Sequence, residues 1–168
     1  MTAAVRRATV TDARPMVDVR LAAWRATYGP MLPPQVWEGM DPAAMADRFA
    51  PRLAAGDPRA LVADVDGAVR AYSLFGACRD EDQAGADEIY AIYAHPDNWS
   101  TGLGRALMAA TLDELGRPVT LWVLEANNRA RRFYEIAGFR PDGSCKPADM
   151  PGGVQLPEVR YRLDEDHG

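Results

Sequence analysis

The sequence is poor in the residues that bind metals or form disulfide bonds. Its 168 residues include only two cysteines and two histidines. Cys78 and Cys145 lie far apart and match no metal-ligand spacing, so they are expected to be reduced thiols. His95 and His167 form no pair at ligand spacing either, and no HExxH pattern occurs. The sequence therefore argues against a zinc enzyme and predicts no metal.

Long apolar runs and positive charge are also scarce. No apolar stretch approaches the roughly 20 residues that span a bilayer, and the polar N-terminus has no signal-like segment. We therefore expect a cytoplasmic protein with no membrane partner. Lys146 is the only lysine, and the formal net charge is -5. An acidic chain lacks the basic face that nucleic-acid binding requires, so we expect no nucleic-acid partner.

The length and composition that remain are those of one globular domain. Apolar residues make up 48% of the chain and charged residues 26%, which is ordinary for a folded protein. No repeat, low-complexity tract or linker divides the chain. We expect a single domain over residues 1–168, with a core over about 5–163 and a polar C-terminal tail.

The apolar pattern predicts strands that later alternate with helices. Asp41-Pro42 is typical of a helix start, and Asp66-Gly67 of a tight hairpin turn. The sequence predicts strands at 5–8, 61–65, 68–75, 88–94, 119–124 and 158–163, helices at 11–28, 41–53, 103–115 and 127–137, and a return to the sheet at Phe139. This order indicates an α/β or α+β layer fold on one mixed sheet.

The segment from Glu88 to Arg105 reads as a strand, a turn, a glycine-containing loop and a helix. Gly102 and Gly104 would let a phosphate approach the backbone, where the first amides of the helix are unpaired. Two glycines at this spacing are a weak signal alone. No lysine follows them, so a P-loop nucleotide site is poorly supported.

A second segment gives more specific evidence than the two glycines of the loop. Residues 121–139 contain Asn127, Ala130, Phe133-Tyr134-Glu135 and Gly138-Phe139. At these spacings they resemble the second conserved block of the GNAT superfamily of N-acetyltransferases. The upstream strand, loop and helix resemble the superfamily's CoA pyrophosphate loop, and residues 5–28 are also similar to many bacterial members. The resemblance therefore runs from about residue 5 to residue 163.

The resemblance implies the GNAT fold, a single mixed and mostly antiparallel sheet splayed at its centre with helices on both faces. It also implies that acetyl-CoA, the co-substrate, enters the gap between the strands ending at Ala94 and Leu124. The residues implied at acetyl-CoA are the backbone of Ile92, Tyr93 and Ala94 along the pantetheine arm, the amides of Ser100, Thr101, Gly102, Leu103, Gly104 and Arg105 at the pyrophosphate, and Asn127 near the thiol.

The resemblance places Tyr134 close to the sulfur. When the thioester breaks, the departing thiolate needs a proton, and a phenol with an ordinary pKa of about 10 stays protonated until that moment. Tyr134 is therefore the candidate general acid. The alternative is a half-buried aromatic that packs beside Phe133.

Glu88 is the candidate general base, because histone-type members of the family place their base at the start of this strand. Strand alternation predicts that Glu88 shares one face with Tyr90 and Ile92. A solvated acid at a strand end is an equally open interpretation. Ribosomal-protein-type members carry a glutamate where this chain has Trp122, and Glu125 is a weaker reserve candidate.

The match is imperfect at the phosphate loop. The family loop usually begins with Gln or Arg and then glycine, where this chain has Trp99 and Ser100, so weaker CoA binding is expected.

The predicted function is acetyl transfer from acetyl-CoA to a primary amine by direct attack in a ternary complex. The alternative is a non-catalytic acyl-CoA-binding sensor or interaction module with a degenerate GNAT fold.

The acceptor is not determined by the sequence. The expected partner is a small-molecule or peptide amine, and the resemblance leaves a homodimer open because dimers are common among relatives. The family takes its acceptor between the first helices and the central strands. Trp24, Tyr28 and Tyr90 are therefore candidates for the wall of that pocket, although aromatic residues at such spacings are more often core.

Overall fold

A computed structural model of the protein describes residues 2–165. Its strands are β1 (Ala3–Arg7), β2 (Arg59–Val65), β3 (Ala68–Ala77), β4 (Asp87–Ala94), β5 (Val119–Leu124), β6 (Arg140–Asp149) and β7 (Gln155–Leu163). Its α-helices are α1 (Ala13–Tyr28), α2 (Pro34–Glu38), α3 (Pro42–Ala55), α4 (Leu103–Asp113) and α5 (Asn128–Ile136). The last three residues of the expected polar tail lie outside the described residues.

The seven strands form one sheet in the order β1-β2-β3-β4-β5-β7-β6. Neighbouring strands are antiparallel except β4 and β5, which are parallel. A parallel pair needs a crossover connection, and α4 provides it. The single mixed sheet that the sequence pattern predicts is confirmed, and so is the mostly antiparallel arrangement that the resemblance implies.

Local patterns in the sequence predicted most of these helices and strands. The Asp41 carboxylate accepts hydrogen bonds from the amides of Ala43 and Ala44 at 3.0 and 3.2 Å and so caps α3. Asp66 and Gly67 have φ angles of +50° and +87°, as a type I′ hairpin turn requires. These contacts involve near neighbours in the chain, so the sequence alone was enough to predict them.

Two elements were not predicted in full. Beyond Phe139 the chain forms the ten-residue strand β6, although Pro141, Gly143 and Pro147 lie within it. β6 is the outer strand of the sheet beside β7, and an edge strand tolerates proline because one side needs no ladder hydrogen bonds. The short helix α2 begins at Pro34, in a segment that the sequence indicated only as a break.

A β-bulge in β4 determines which side chains face each way. Leu74 of β3 pairs with Ala91, whereas the next residue, Phe75, pairs with Ile89, so Tyr90 is an extra residue in the strand. A bulge reverses the alternation beyond it. Ile92 therefore packs in the same cluster as Ile89, on the face opposite Glu88. The expectation that Glu88, Tyr90 and Ile92 share one face is wrong for this reason.

The helices cover both faces of the sheet. On one face, Met108 of α4 and Tyr134 of α5 pack with Leu121 and Tyr161. On the other face, Met16 and Val19 of α1 pack against the sheet, in a cluster that includes Val62 and Tyr72. Each face therefore has its own core, and a ligand can reach both faces only where the sheet itself opens.

Within residues 2–165, no helix combines the length and the apolar character needed to cross a membrane.

Candidate active site

The sheet opens at its centre, between β4 and β5. The two strands pair only from Asp87–Val119 to Ile89–Leu121, and the bulge at Tyr90 follows directly. Because a bulge bends its strand, β4 turns away from β5 at this point. The backbone edge of β4 from Tyr90 to Ala94 then faces the gap on one side, while its other side pairs with β3.

A cavity of about 360 Å³ occupies this gap. It brings together most of the residues that the sequence singled out. Lining it are the predicted site residues Trp24, Tyr28, Glu88, Tyr90, Ile92, Tyr93, Ala94, Asn127 and Tyr134. Residues 100–105 do not line it, and Leu103 is instead buried in the core. The predicted phosphate loop therefore stands apart from the cavity, whose walls are formed by residues of α1, β4, β5, α5, β6 and β7.

Tyr134 reaches the cavity from the core between α5 and the sheet. Its residue is 8% exposed, and its ring meets those of Phe133, Phe139 and Tyr161 edge-on. Burial raises the pKa of the Tyr134 phenol above its ordinary value, and the nearby Tyr93 and Tyr28 raise it further. The hydroxyl is therefore protonated at neutral pH, as a proton donor must be.

Asn127 joins α5 to α1 across the gap. Its side-chain oxygen accepts a hydrogen bond from the amide of Ala130 at 3.1 Å and caps α5. Its side-chain amide donates to the Tyr28 hydroxyl at 3.0 Å. Burial raises the pKa of Tyr28 to about 12. Both polar ends of Asn127 are thus used within the protein, and the amide nitrogen keeps one further N–H for a ligand.

Glu88 is held tightly by Arg79. The Glu88 residue is 1% exposed. One carboxylate oxygen accepts hydrogen bonds from the Arg79 backbone amide at 3.0 Å and from Nε at 3.2 Å, and the other accepts from Nη2 at 2.8 Å. The Arg79 guanidinium also lies 4.3 Å from the centre of the Tyr90 ring. Glu88 and Tyr90 therefore hold the Arg79 guanidinium at the cavity wall.

A second group of charges lines the same side of the cavity. Lys146 and Glu158 face each other at 3.8 Å between Nζ and Oε1, and Lys146 lies 4.1 Å above the centre of the Trp122 ring. The Trp122 indole N–H donates to Asp80 at 2.8 Å. Burial raises the pKa of the Glu158 carboxyl. This side of the cavity therefore combines fixed cations with carboxylates, whereas the Tyr134 side is aromatic.

Sequence reasoning missed Arg79, Lys146 and Glu158. Arg79 follows β3 in an irregular loop, and nothing periodic links it to Glu88. Glu158 did carry a signal. It alternates with apolar Val159 in a strand inside the sheet, so a charged side chain there needs a partner or a function.

The loop before α4 has the backbone of a phosphate-binding turn. Ser100 and Gly102 have φ angles of +61° and +89°. The first backbone hydrogen bond of the helix joins the Ala106 amide to the Gly102 carbonyl, so the amides of residues 103–105 have no acceptor inside the helix. A side chain on Gly102 would meet no atom within 4 Å. The space beside Gly102, at the start of the helix, is therefore open.

Trp99 lies beside that loop and reaches into the gap. Its indole N–H donates to the Ala94 carbonyl at 2.9 Å, and its ring stacks on the Arg129 guanidinium at 3.3 Å from the ring centre. Trp99 and Arg129 also line a smaller neighbouring cavity of about 260 Å³. The ring thus bridges the end of β4 and the start of α5, where the gap meets the loop.

Within residues 2–165, no group of three or more His, Cys, Asp or Glu side chains is placed to hold a metal ion.

The sequence is similar to those of known acetyltransferases. The sequence model of the acetyltransferase (GNAT) family matches residues 21–139. The chain is 35% identical over 123 residues to the L-amino acid N-acyltransferase MnaT of Escherichia coli, covering 70% of this chain and 71% of that protein. It is 29% identical over 160 residues to the uncharacterised N-acetyltransferase YuaI of Bacillus subtilis, covering 92% of this chain and 89% of that protein.

Among solved structures, the PaiA N-acetyltransferase of Thermoplasma acidophilum in complex with coenzyme A superposes with a TM-score of 0.77. The match covers 98% of this chain and 100% of that chain at 15% identity, which shows a shared fold. The splayed sheet, the cavity in its gap and the family match over most of the chain lead to one conclusion. The chain belongs to the acetyltransferase (GNAT) family.

Proposed function

We propose that the protein transfers an acetyl group from acetyl-CoA to a primary amine by direct attack while both substrates are bound. The observation that carries this proposal is the cavity of about 360 Å³ between β4 and β5. Tyr134 lines it from the core beneath α5, and Arg79 and Glu158 line it with the charged side chains. A thioester and an amine that enter from opposite sides of the sheet would meet there without a covalent enzyme intermediate.

Two features support acetyl-CoA as the donor, and a third marks Trp24 as an unused hydrogen-bond donor for a ligand in the cavity. The edge of β4 from Tyr90 to Ala94 lacks a strand partner on the side of the gap, so it can pair with the amides of a pantetheine arm. The open space at Gly102 and the free amides of residues 103–105 suit a diphosphate. The indole N–H of Trp24, a cavity residue, is buried without a hydrogen-bond acceptor in the protein. When bound, acetyl-CoA supplies the activated acetyl group.

Tyr134 acts as the general acid in this proposal. As the carbon–sulfur bond breaks, the sulfur takes the proton of the Tyr134 hydroxyl, and no free thiolate is released. Burial raises the pKa of Tyr134 and so keeps the phenol protonated before the reaction; it gives up its proton only as negative charge develops on the sulfur. The attacking nitrogen becomes positively charged when it bonds to the acetyl carbon, and it gives its extra proton to the phenolate as the amide forms, so Tyr134 ends the cycle unchanged.

The amine must lose a proton before it can attack, because an ammonium group has no free electron pair. Glu88 is the base that the family resemblance implies. In the structure both of its oxygens already accept hydrogen bonds from Arg79, which favours a role in holding that cation. The cavity contains a second glutamate, Glu158, and assigning the base to Glu88 or to Glu158 leads to different predictions.

The charges at the cavity favour an acceptor that carries a carboxylate, such as a free L-amino acid. Glu88 occupies Nε and Nη2 of Arg79, and the guanidinium retains further N–H groups that can bind an anion. Lys146 adds a second cation nearby. The relative MnaT is named as an L-amino acid N-acyltransferase, in agreement with this class of acceptor.

The proposal is tested by mixing the purified protein with acetyl-CoA and each of the twenty L-amino acids, together with polyamines and short peptides, and following thiol release. Tyr134→Phe is expected to lower kcat by roughly 100-fold or more while CoA still binds. Tyr72→Phe is the matched control, because Tyr72 is also buried but lies outside the cavity. CoA binding without turnover of any amine would instead support the non-catalytic module.

A further inference from the structure

Glu88 and Glu158 are the two glutamates that line the cavity, and they differ in how much of their hydrogen-bonding capacity is used. The Glu88 carboxylate accepts three hydrogen bonds from Arg79 at 2.8 to 3.2 Å and its side chain is 2% exposed. Both oxygens of Glu88 are thus occupied by Arg79, and little of the carboxylate remains available to an ammonium group of the acceptor.

The Glu158 carboxylate is held less tightly than that of Glu88. Its shortest ion-pair contact is the 3.8 Å separation from the Lys146 ammonium, which is longer than a hydrogen bond. Its side chain is 17% exposed, so water and a ligand can reach it. The carboxylate therefore keeps its lone pairs available to a group that enters the cavity.

The sheet places Glu158 on the acceptor side of the gap. Glu158 pairs with Leu124, the last residue of β5, and cross-strand partners share a face. Leu124 packs with Leu32 and Trp37 on the face that α1 covers. Tyr134 lines the same cavity from the core of the opposite face. The two side chains therefore stand on opposite sides of the place where a thioester and an amine would meet.

Charged groups from three elements face Glu158. They are Lys146 from β6, Glu88 from β4, and Arg79 and Asp80 from the segment between β3 and β4. Burial is the largest effect and raises the pKa of Glu158, the neighbouring carboxylates raise it further, and the two cations oppose them. A carboxylate whose pKa lies nearer to neutral is a better proton acceptor for an ammonium group.

We propose that Glu158 is the catalytic base and that Glu88 is a positioning residue which holds Arg79 for the carboxylate of the acceptor. This inference rests on the proposed function. The N–H bond of the acceptor ammonium breaks, its proton goes to a Glu158 oxygen, and the electron pair stays on nitrogen for attack on the acetyl carbon. Glu158 then releases that proton to solvent, so each transfer yields one amide, one thiol and one proton.

The test compares Glu158→Gln with Glu88→Gln, using the L-amino acid that the unaltered protein acetylates fastest. Both replacements keep the side-chain shape, and circular dichroism and CoA affinity check that each variant is folded. Glu158→Gln is expected to lower kcat roughly 100-fold or more at pH 7. Its rate should recover as the pH approaches the pKa of the amine, since free amine then comes from solution. Glu38→Gln is the matched control, because Glu38 of α2 is exposed and outside the cavity.

Glu88→Gln is expected to raise the KM for the amino acid by tenfold or more with a much smaller change in kcat, because it loosens Arg79. An unimpaired Glu158→Gln would overturn the inference and leave the proposed function standing. So would a loss of kcat in Glu88→Gln at normal KM that recovers as the pH approaches the pKa of the amine, which would make Glu88 the base. If the unaltered protein acetylates no amine, the proposed function fails and the inference fails with it.

Discussion

The indole N–H of Trp99 donates to the carbonyl of Ala94 at 2.9 Å. Ala94 is the last residue of β4, and its carbonyl stands at the edge that we propose for the pantetheine arm. The same indole ring covers the Arg129 guanidinium at 3.3 Å. The chain thus carries its own hydrogen-bond donor at a position where a ligand amide would bind, and this contact competes with the co-substrate.

Trp99→Phe is expected to strengthen CoA binding. Phenylalanine keeps an aromatic ring for Arg129 but cannot donate to the Ala94 carbonyl. Removing a competing hydrogen bond of about 1 kcal/mol predicts roughly a two- to tenfold lower Kd, measured by calorimetry. Trp37→Phe is the control, because the Trp37 indole also donates to a carbonyl, that of Gly29 at 3.4 Å, but lies outside the cavity. Unchanged affinity in Trp99→Phe would show that the carbonyl accepts both donors at once.

Ser100→Gly is expected to stabilise the fold. Ser100 has a φ angle of +61°, and a residue with a β-carbon is strained there by about 1–2 kcal/mol. Glycine removes this strain but adds freedom to the unfolded chain, so we expect a net gain of about 0.5–1 kcal/mol in urea unfolding. Gly102→Ala is the opposite control, because it places a β-carbon at a φ of +89°. A loss of stability in Ser100→Gly would contradict the left-handed backbone.

Arg160→Met is expected to be among the more damaging single changes outside the cavity. Arg160 is 4% exposed and forms ion pairs with Asp80, Asp82 and Asp142 at 3.2, 2.7 and 2.6 Å. Without it, three carboxylates repel one another, which predicts a loss of roughly 3–5 kcal/mol in the free energy of unfolding.

Arg7→Met is the matched control for Arg160→Met, since the Arg7 side chain is 69% exposed in its pair with Glu114. Such a surface pair contributes about 0–1 kcal/mol. Equal losses in the two variants would show that the buried network contributes no more than a surface pair.

Alkaline pH is expected to destabilise the protein through its buried tyrosines. Burial raises the pKa of Tyr28 to about 12 and raises those of Tyr72 and Tyr134 above the ordinary value. Above pH 10 these phenols ionise in the unfolded chain but stay protonated in the folded one. Their stabilising contribution is therefore complete below pH 10 and is lost as the pH rises through the folded values.

Absorbance of tyrosinate near 295 nm, followed together with circular dichroism, measures this effect. We expect the buried tyrosines to ionise only as the protein unfolds. Tyr72→Phe removes one of these phenols, so its free energy of unfolding should fall less between pH 7 and alkaline pH than that of the unaltered protein. Ionisation of all the tyrosines near pH 10 without any loss of structure would contradict their burial.

The sequence determined most of the secondary structure and the family because those signals are local. Asp41 caps α3 two to three residues away, and Asn127 caps α5 three residues away. β5 forms over the predicted residues 119–124. Tyr134 could be singled out because it lies in one continuous segment with Asn127 and Phe139. Interactions over a few residues are visible in the order of the amino acids.

Only the tertiary structure decided which side chains share the cavity. The bulge at Tyr90 appears only when β4 is set against β3, and it moves Ile92 to the face opposite Glu88. The contact of Lys146 with Glu158 depends on the register between β6 and β7, and Trp99 meets Arg129 across thirty positions of sequence. The sequence carries no periodic signal for such pairs, because their separation is set by how the strands and helices pack and not by any repeat along the chain.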